Sequence, residues 1–314
     1  MYTIGIDVGG TNLKAGLVNE HYEIEATAKM PLCWESAEKF AADLVRLAKS
    51  VVEQKGIALS EVSGIGIGVP GQVDNKNGLI VKTVNIPIRN MPIAKLMQAE
   101  WDVPIYLGND ADCAALGEFY HFEDRSIENL VLVTLGTGVG TGLVINGRIH
   151  RGVNGCAGEG GHIVIVKDGE QCTCGRRGCW ERYSSATALI RMTREAMEQD
   201  KTSALWEISD NGASITGVTP FEGAKRGDAA AIAVLESYVA YLAEGITNLI
   251  NLLQPEVIAI GGGVSAADDR WLLDPVRRKV EELRYDKEAD VHTKIVKAKL
   301  GNDAGIIGAA LLGK

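Results

Sequence analysis

Apolar and polar positions alternate in two distinct rhythms along this chain. Residues 2–8 (Tyr-Thr-Ile-Gly-Ile-Asp-Val) read as a strand, followed by a Gly-Gly turn and a second strand near 13–19. Residues 35–55 place Phe40, Leu44, Leu47 and Val51 at helical spacing. Gly-Ile-Gly-Ile-Gly-Val at 64–69 predicts another buried strand, 109–119 a helix, and 130–135 and 141–146 further strands. The clearest helix spans about 228–253, where Ile232, Leu235, Val239, Leu242, Ile246, Leu249 and Leu253 recur three and four apart. Pro255 ends it, a strand follows at 256–260, and a last helix covers roughly 304–313. Strands alternating with helices predict an α/β protein.

A shift of 126 residues brings Gly10-Thr11 onto Gly136-Thr137 and Gly16-Leu17-Val18 onto Gly142-Leu143-Val144. Each copy reads strand, Gly/Thr turn, strand, which predicts two duplicated domains. Two such turns could close on one phosphate chain from opposite sides. The expected division is 1–120, completed by the C-terminal helix at 303–314, and 121–302, with the change-over in the polar stretch His121 to Asn129.

Composition narrows the class. The chain has 314 residues, enough for two cores, and a net charge of -9 without a basic block. General nucleic-acid or anionic-membrane binding is therefore not expected. Asp7 interrupts the first apolar stretch and no basic region precedes it, so no signal peptide is read there. Asn129 to Gly147 lacks charges for about the length of a membrane span, but its Gly and Thr predict two buried strands instead. Glycine is high, at 37 residues, and falls in short clusters between apolar runs. Such clusters suit tight turns and close backbone approach to a ligand. Of six cysteines, three lie within eight residues, which fits a cytosolic protein with a metal site better than a disulfide scaffold.

Two nucleotide-binding patterns are false. Gly66-Ile-Gly-Val-Pro-Gly71 contains Pro70 and has no clear helix after it, and Gly308 to Lys314 ends before any Ser or Thr. Asp7-Val-Gly-Gly-Thr-Asn12 is better placed: a strand delivers a carboxylate to a turn of Gly9, Gly10, Thr11 and Asn12. Successive N–H groups there form an anion nest, and Asp7 can hold Mg²⁺ through water. The alternative is a plain hairpin turn. The related turn Gly136-Thr137-Gly138 favours the functional reading, and Gly262 and Gly263, after a strand, offer a third close-approach surface suited to an adenosine face.

Cys172, Cys174 and Cys179, with His162 upstream, supply three thiolates and an imidazole, a closed tetrahedral set for structural zinc. Free cytosolic thiols are the alternative. Glu159 and Glu181 flank this set and, with His162, could meet several hydroxyls at once, as a sugar requires. Asn109-Asp110 ends a strand and opens a helix. A carboxylate at Asp110, favoured in its ionised form by the helix dipole, could accept a proton from an attacking hydroxyl. Either residue could equally be an N-cap.

Taken together, DVGGTN at 7–12, GVPG at 68–71, NDADCAALGE at 109–118, LGTGVG at 135–140, EGGHI at 159–163, CTCGRRGCWE at 172–181 and IGGGVS at 260–265 resemble the ROK family of sugar kinases and sugar-responsive repressors. The cysteine-rich run is specific to the family; the glycine turns alone are not. The resemblance implies a two-domain actin-like ATPase fold of duplicated ribonuclease H-like domains, with the sugar in an interdomain cleft. It implies ATP, Mg²⁺ and structural zinc, the zinc on His162, Cys172, Cys174 and Cys179. It implies Asp110 as catalytic base, with Asn109, Glu159, His162 and Glu181 on the sugar hydroxyls and Gly71 and Asn85 bordering the site. His162 would then use one ring nitrogen for zinc and the other for sugar.

Within the family the pattern is most similar to the bacterial glucokinase branch, with N-acetylmannosamine kinases close to it. The fructokinase branch usually departs from the cysteine pattern. Repressors carry an N-terminal helix-turn-helix, for which a motif starting at residue 7 leaves no room. The expected partner is glucose or a related hexose, and the expected assembly a homodimer or homotetramer in the cytoplasm.

Overall fold

The computed structural model describes residues 1–83 and 86–314. Asn85 therefore lies outside the described residues. Strands β1 (Tyr2–Val8), β2 (Asn12–Val18) and β3 (Ile24–Pro31) form an antiparallel run, and β4 (Val62–Val69) and β8 (Ile105–Asn109) extend it in parallel. The resulting order is β3-β2-β1-β4-β8. Strands β5 (Gly71–Asp74), β6 (Leu79–Thr83) and β7 (Arg89–Met91) make a small separate sheet. A second five-stranded sheet has the order β11-β10-β9-β12-β13, built from β9 (Leu130–Leu135), β10 (Val139–Ile145), β11 (Arg148–Ile149), β12 (Val257–Gly261) and β13 (Lys294–Lys297). In both sheets the third, second, first, fourth and fifth strands follow one another across the sheet. The repeat read at 126 residues thus falls on equivalent strands, β1-β2 and β9-β10.

The chain divides into two compact units. One comprises Met1–Leu130, Gly142–Gly158 and Leu300–Lys314, the other Val131–Thr141 and Glu159–Lys299. The expected limits of 1–120 with 303–314, and 121–302, thus differ from this division over 121–130, 142–158 and 300–302. Residues from 142 pack against helix α3 (Asp110–His121), where a Cβ at Gly142 would lie 2.4 Å from the Ala111 carbonyl oxygen and 2.6 Å from the Ala115 methyl, and Leu300 N–H donates to Glu118 Oε1 of the same helix at 2.8 Å.

In the first unit, α1 (Ala37–Lys55) starts where Ser36 Oγ accepts from the Lys39 N–H at 3.1 Å and ends at Gly56 in the left-handed region. Its buried stripe includes Phe40, Leu44, Leu47 and Val51. A short α2 (Ile93–Gln98) follows β7. The terminal helix α10 (Ala304–Ala310) is shorter than its expected 304–313, because residues 311–313 leave the helix for a turn. Glycine sets how closely it packs. A Cβ at Gly5 would lie 1.8 Å from the Ile306 carbonyl oxygen, one at Gly66 1.7 Å from that of Ala309, and one at Gly308 1.6 Å from that of Cys113. Three missing methyls thus let α10 lie directly on β1, β4 and α3, which explains part of the glycine excess.

The second unit carries α4 (Glu181–Ser184), α5 (Ala186–Gln199), α6 (Leu205–Ile208), α7 (Thr219–Lys225), α8 (Ala229–Leu253) and α9 (Leu273–Leu283). Asp228 caps α8 by accepting from the Ala231 N–H at 2.8 Å, and Gln254 closes it in the left-handed region before Pro255. Among the described residues α8 is the one helix long and apolar enough to cross a membrane, and half of its most apolar window is buried within the protein. The uncharged stretch 129–147 forms β9 and β10.

Candidate functional site

In the first unit, antiparallel pairing places Asp7 opposite Lys14, and their side chains form an ion pair at 3.8 Å. Burial pushes the Asp7 carboxyl above the ordinary carboxylate range, with Lys14 opposing the shift. The turn beyond it is exposed at Gly10 and Thr11. Gly9 N–H donates to the Asn12 carbonyl at 3.0 Å, and Asn12 Nδ2 donates to Thr11 Oγ1 at 2.8 Å. A half-buried carboxylate at the head of a turn with hydroxyl and amide groups is a donor set that a hydrated divalent cation and phosphate could use.

At the end of β8 the capping question resolves. Asn109 is the N-cap of α3: its Oδ1 accepts from the Ala111 N–H at 2.8 Å and the Asp112 N–H at 3.3 Å. Its Nδ2 donates to the Gly71 carbonyl at 3.1 Å. Asp110 is therefore the first helical residue rather than the cap, and it is solvent-exposed, with Oδ1 accepting from the Ala111 N–H at 3.0 Å. Gly71 has a reason to be glycine, since a Cβ there would lie 2.2 Å from the Lys82 carbonyl oxygen.

In the second unit, the side chains of His162, Cys172, Cys174 and Cys179 converge, their ligand atoms all lying within 4.8 Å of one another. His162 Nδ1 is 3.6 Å from Cys172 Sγ, and Cys174 Sγ is 3.6 Å from Cys179 Sγ. A zinc tetrahedron with S and N ligands has edges of about 3.6–3.8 Å, so the four groups fit that ion. The Arg176 backbone N–H holds the Cys174 thiol below its ordinary value, whereas burial and then the neighbouring thiols push Cys179 up to about 12. A bound cation would release the proton that the buried sulfur otherwise keeps.

The loop owes its path to Gly178, in the left-handed region, where a Cβ would lie 1.6 Å from the Val166 carbonyl oxygen. Trp180, fully buried, anchors the other end by donating from Nε1 to the Tyr241 carbonyl at 3.0 Å. The backbone of the Glu159-Gly-Gly-His162 turn lies close to β10. Gly160 N–H donates to Thr141 Oγ1 at 2.8 Å, and a Cβ at Gly161 would lie 2.1 Å from the Val139 carbonyl oxygen. Glu159 is exposed and His162 half-buried.

Glu181 does something the sequence did not announce. Its Oε2 accepts from the Val139 N–H at 3.1 Å, and its Oε1 lies 4.0 Å from Cys172 Sγ. It thus touches both the cysteine loop and the start of β10.

Gly136, Thr137 and Gly263 line one pocket of about 440 Å³, walled on its apolar side by Val218, Phe221 and Trp271. Gly138 instead packs against Glu181, where a Cβ would be 2.2 Å from Oε2. Gly262 lies against the Leu135 backbone, with a Cβ 2.5 Å from its nitrogen. The wall from α7 and Trp271 was missed by sequence reading, because nothing in its spacing marks it as a ligand surface.

The profile of the ROK family matches residues 3–314. The chain is 37% identical over 313 residues to a glucokinase of Halalkalibacterium halodurans, covering 99% of this chain and 94% of that protein. It is also similar to the crystal structure of a ROK family glucokinase from Streptomyces griseus in complex with glucose and AMPPNP. That match has a TM-score of 0.81 and 33% identity and covers 99% of each chain. A xylose repressor of Caldicellulosiruptor bescii is 29% identical, covering 97% of this chain and 76% of that protein. With the repeated strand order, these similarities give the two-domain actin-like ATPase fold.

Proposed function

The chain belongs to the ROK family, and on that premise we propose that it is a sugar kinase that transfers the γ-phosphoryl group of Mg²⁺-ATP to the 6-hydroxyl of glucose, forming glucose 6-phosphate. The observation that carries this reading is the separation of roles at the start of α3. Asn109 is the N-cap, and Asp110 follows it as an exposed first helical residue whose Oδ1 accepts from the Ala111 N–H at 3.0 Å. The similarity to glucokinases across nearly the whole chain supports glucose as the acceptor.

In this mechanism Asp110 accepts the proton of the 6-hydroxyl as that oxygen attacks the γ-phosphorus and the bond to the β-phosphate oxygen breaks. Asn109, Glu159, His162 and Glu181 orient the other hydroxyls, and Gly71, with Asn85 as the expected neighbour, borders them. His162 turns Nδ1 to the cysteines, so Nε2 is the nitrogen left for the sugar. The nucleotide takes the Gly9–Asn12 and Gly136–Gly138 turns for its phosphates and the pocket beside Gly263 for its base. Asp7 is the residue that would hold Mg²⁺, which when bound would supply charge neutralisation at the phosphates. His162, Cys172, Cys174 and Cys179 would hold a structural zinc, which when bound would fix the loop that carries the sugar ligands. All six cysteines are free thiols, which suits a cytoplasmic setting.

The test is ADP release from Mg²⁺-ATP with glucose, N-acetylmannosamine, mannose, allose and fructose at sub-saturating concentrations. A clear preference for glucose is expected. Preference for another sugar would overturn the substrate and keep the kinase. A second reading, a non-catalytic sugar sensor, is favoured by the repressor similarity. It predicts stabilisation by sugar without ADP release.

A further inference from the structure

The Gly136-Thr137-Gly138 turn is held by a short stretch of chain that continues directly from the cysteine loop. Ala186 N–H donates to the Gly136 carbonyl at 2.8 Å, and Thr187 Oγ1 donates to the Thr137 carbonyl at 2.7 Å. Glu181 Oε2 accepts from the Val139 N–H at 3.1 Å. The three groups lie on residues 181–187, which follow Cys179 after a single residue, the fully buried Trp180. Ser185 caps α5 by accepting from the Ala188 N–H at 3.1 Å, so the segment that carries Ala186 and Thr187 is itself held.

This arrangement has a consequence for the turn's donors. In a trans peptide the C=O and N–H point in opposite directions. Two carbonyls, those of Gly136 and Thr137, are pulled toward the first turn of α5. The N–H groups of the same two peptide units, those of Thr137 and Gly138, must therefore point away from it together. Gly136 N–H is turned inward to the Gly138 carbonyl at 3.0 Å. Two successive N–H groups held in one direction form a nest for an anion.

We propose that Thr187 is a positioning residue for the nucleotide: its hydroxyl, with the Ala186 N–H, pins the Gly136–Gly138 turn so that the Thr137 and Gly138 N–H groups face the phosphates. Glu181 ties the same turn to the cysteine loop, so the order of that loop is felt at the phosphates. The proposal rests on the kinase reading above and adds a residue that touches neither sugar nor metal in it.

Thr187→Val removes the hydroxyl and keeps the shape, and Thr187→Ser keeps the hydroxyl. The full-length protein is titrated calorimetrically with AMPPNP plus Mg²⁺ and, separately, with glucose, and its zinc content and KM values are measured. Losing one hydrogen bond from the turn should weaken AMPPNP binding and raise the KM for ATP by about three- to tenfold. Glucose affinity and zinc content should stay at the wild-type level, and Thr187→Ser should restore nucleotide binding. Unchanged nucleotide affinity in Thr187→Val would overturn the proposal. So would equal losses of glucose, zinc and nucleotide binding, which would mean general damage, or a Ser variant no better than Val. A wild-type protein that phosphorylates no sugar and binds no AMPPNP would instead overturn the kinase reading, and this proposal with it.

Discussion

The Asn109 side-chain amide spans two structures: its oxygen caps α3, and its nitrogen donates to the Gly71 carbonyl at 3.1 Å. Asn109→Asp keeps the cap but puts a carboxylate oxygen against the Gly71 carbonyl. We expect it to keep most of the thermal stability that Asn109→Ala loses, an expected difference of about 1 kcal/mol. Both variants should lose activity, because both release Gly71. Parallel melting and steady-state measurements check this, and an Asp variant with wild-type turnover would remove Gly71 from the site.

Asparagine at 110 keeps a side-chain oxygen for the Ala111 N–H that Asp110 Oδ1 accepts from, so this change removes the charge and leaves the start of α3 in place. Asp110→Asn should lower kcat on the order of 10²–10⁴-fold while glucose binding remains measurable by calorimetry. Near-wild-type turnover would reassign the base.

Asp7 predicts a trade between stability and function. Burial raises its carboxyl above the ordinary value, so the native state binds this proton more tightly than the unfolded chain. The associated stability is complete below the unfolded value and is lost as pH rises through the native one. At pH 7 the ionised group is a net cost. Asp7→Asn should therefore melt higher than wild type at pH 7, with the gain disappearing near the acid end of the carboxylate range. The same variant should lose Mg²⁺-dependent turnover. A lower melting temperature at pH 7 would show that the Lys14 pair outweighs burial.

Gly178 has no room for a methyl beside the Val166 carbonyl oxygen. Gly178→Ala should open the cysteine loop, lower bound zinc measured by elemental analysis and weaken glucose binding. Chelation of the wild type should produce the same two changes, since in the proposed mechanism His162 serves both the cluster and the sugar. Full zinc content in Gly178→Ala would mean that the loop tolerates a shift of its backbone.

Much of this site could be read from the chain because its parts are local. A strand, a glycine turn and a strand occupy consecutive residues, and the three cysteines of the candidate metal set lie within eight residues. Hydrogen bonding and side-chain alternation impose their period over a few residues, so β1, β2, β9, β10, α1 and α8 declare themselves. Strand β3 and the small β5–β7 sheet do not. Strand β3 has no fully buried position to set up an apolar run, and β5–β7 are too short to show a period.

The chemistry available at each motif follows from residue type and spacing alone: carboxylate at 110, thiols at 172, 174 and 179, glycines at 9, 10, 136 and 138. Choices between equivalent neighbours do not. Asn109 rather than Asp110 became the cap, residues 142–158 joined the first unit, and Glu181 reached back to Val139. Phe221 and Trp271 met in one wall. Each of these depends on contacts between residues far apart in the chain. Such contacts leave no periodic trace in sequence, because packing constrains their volume and approach distance rather than their order.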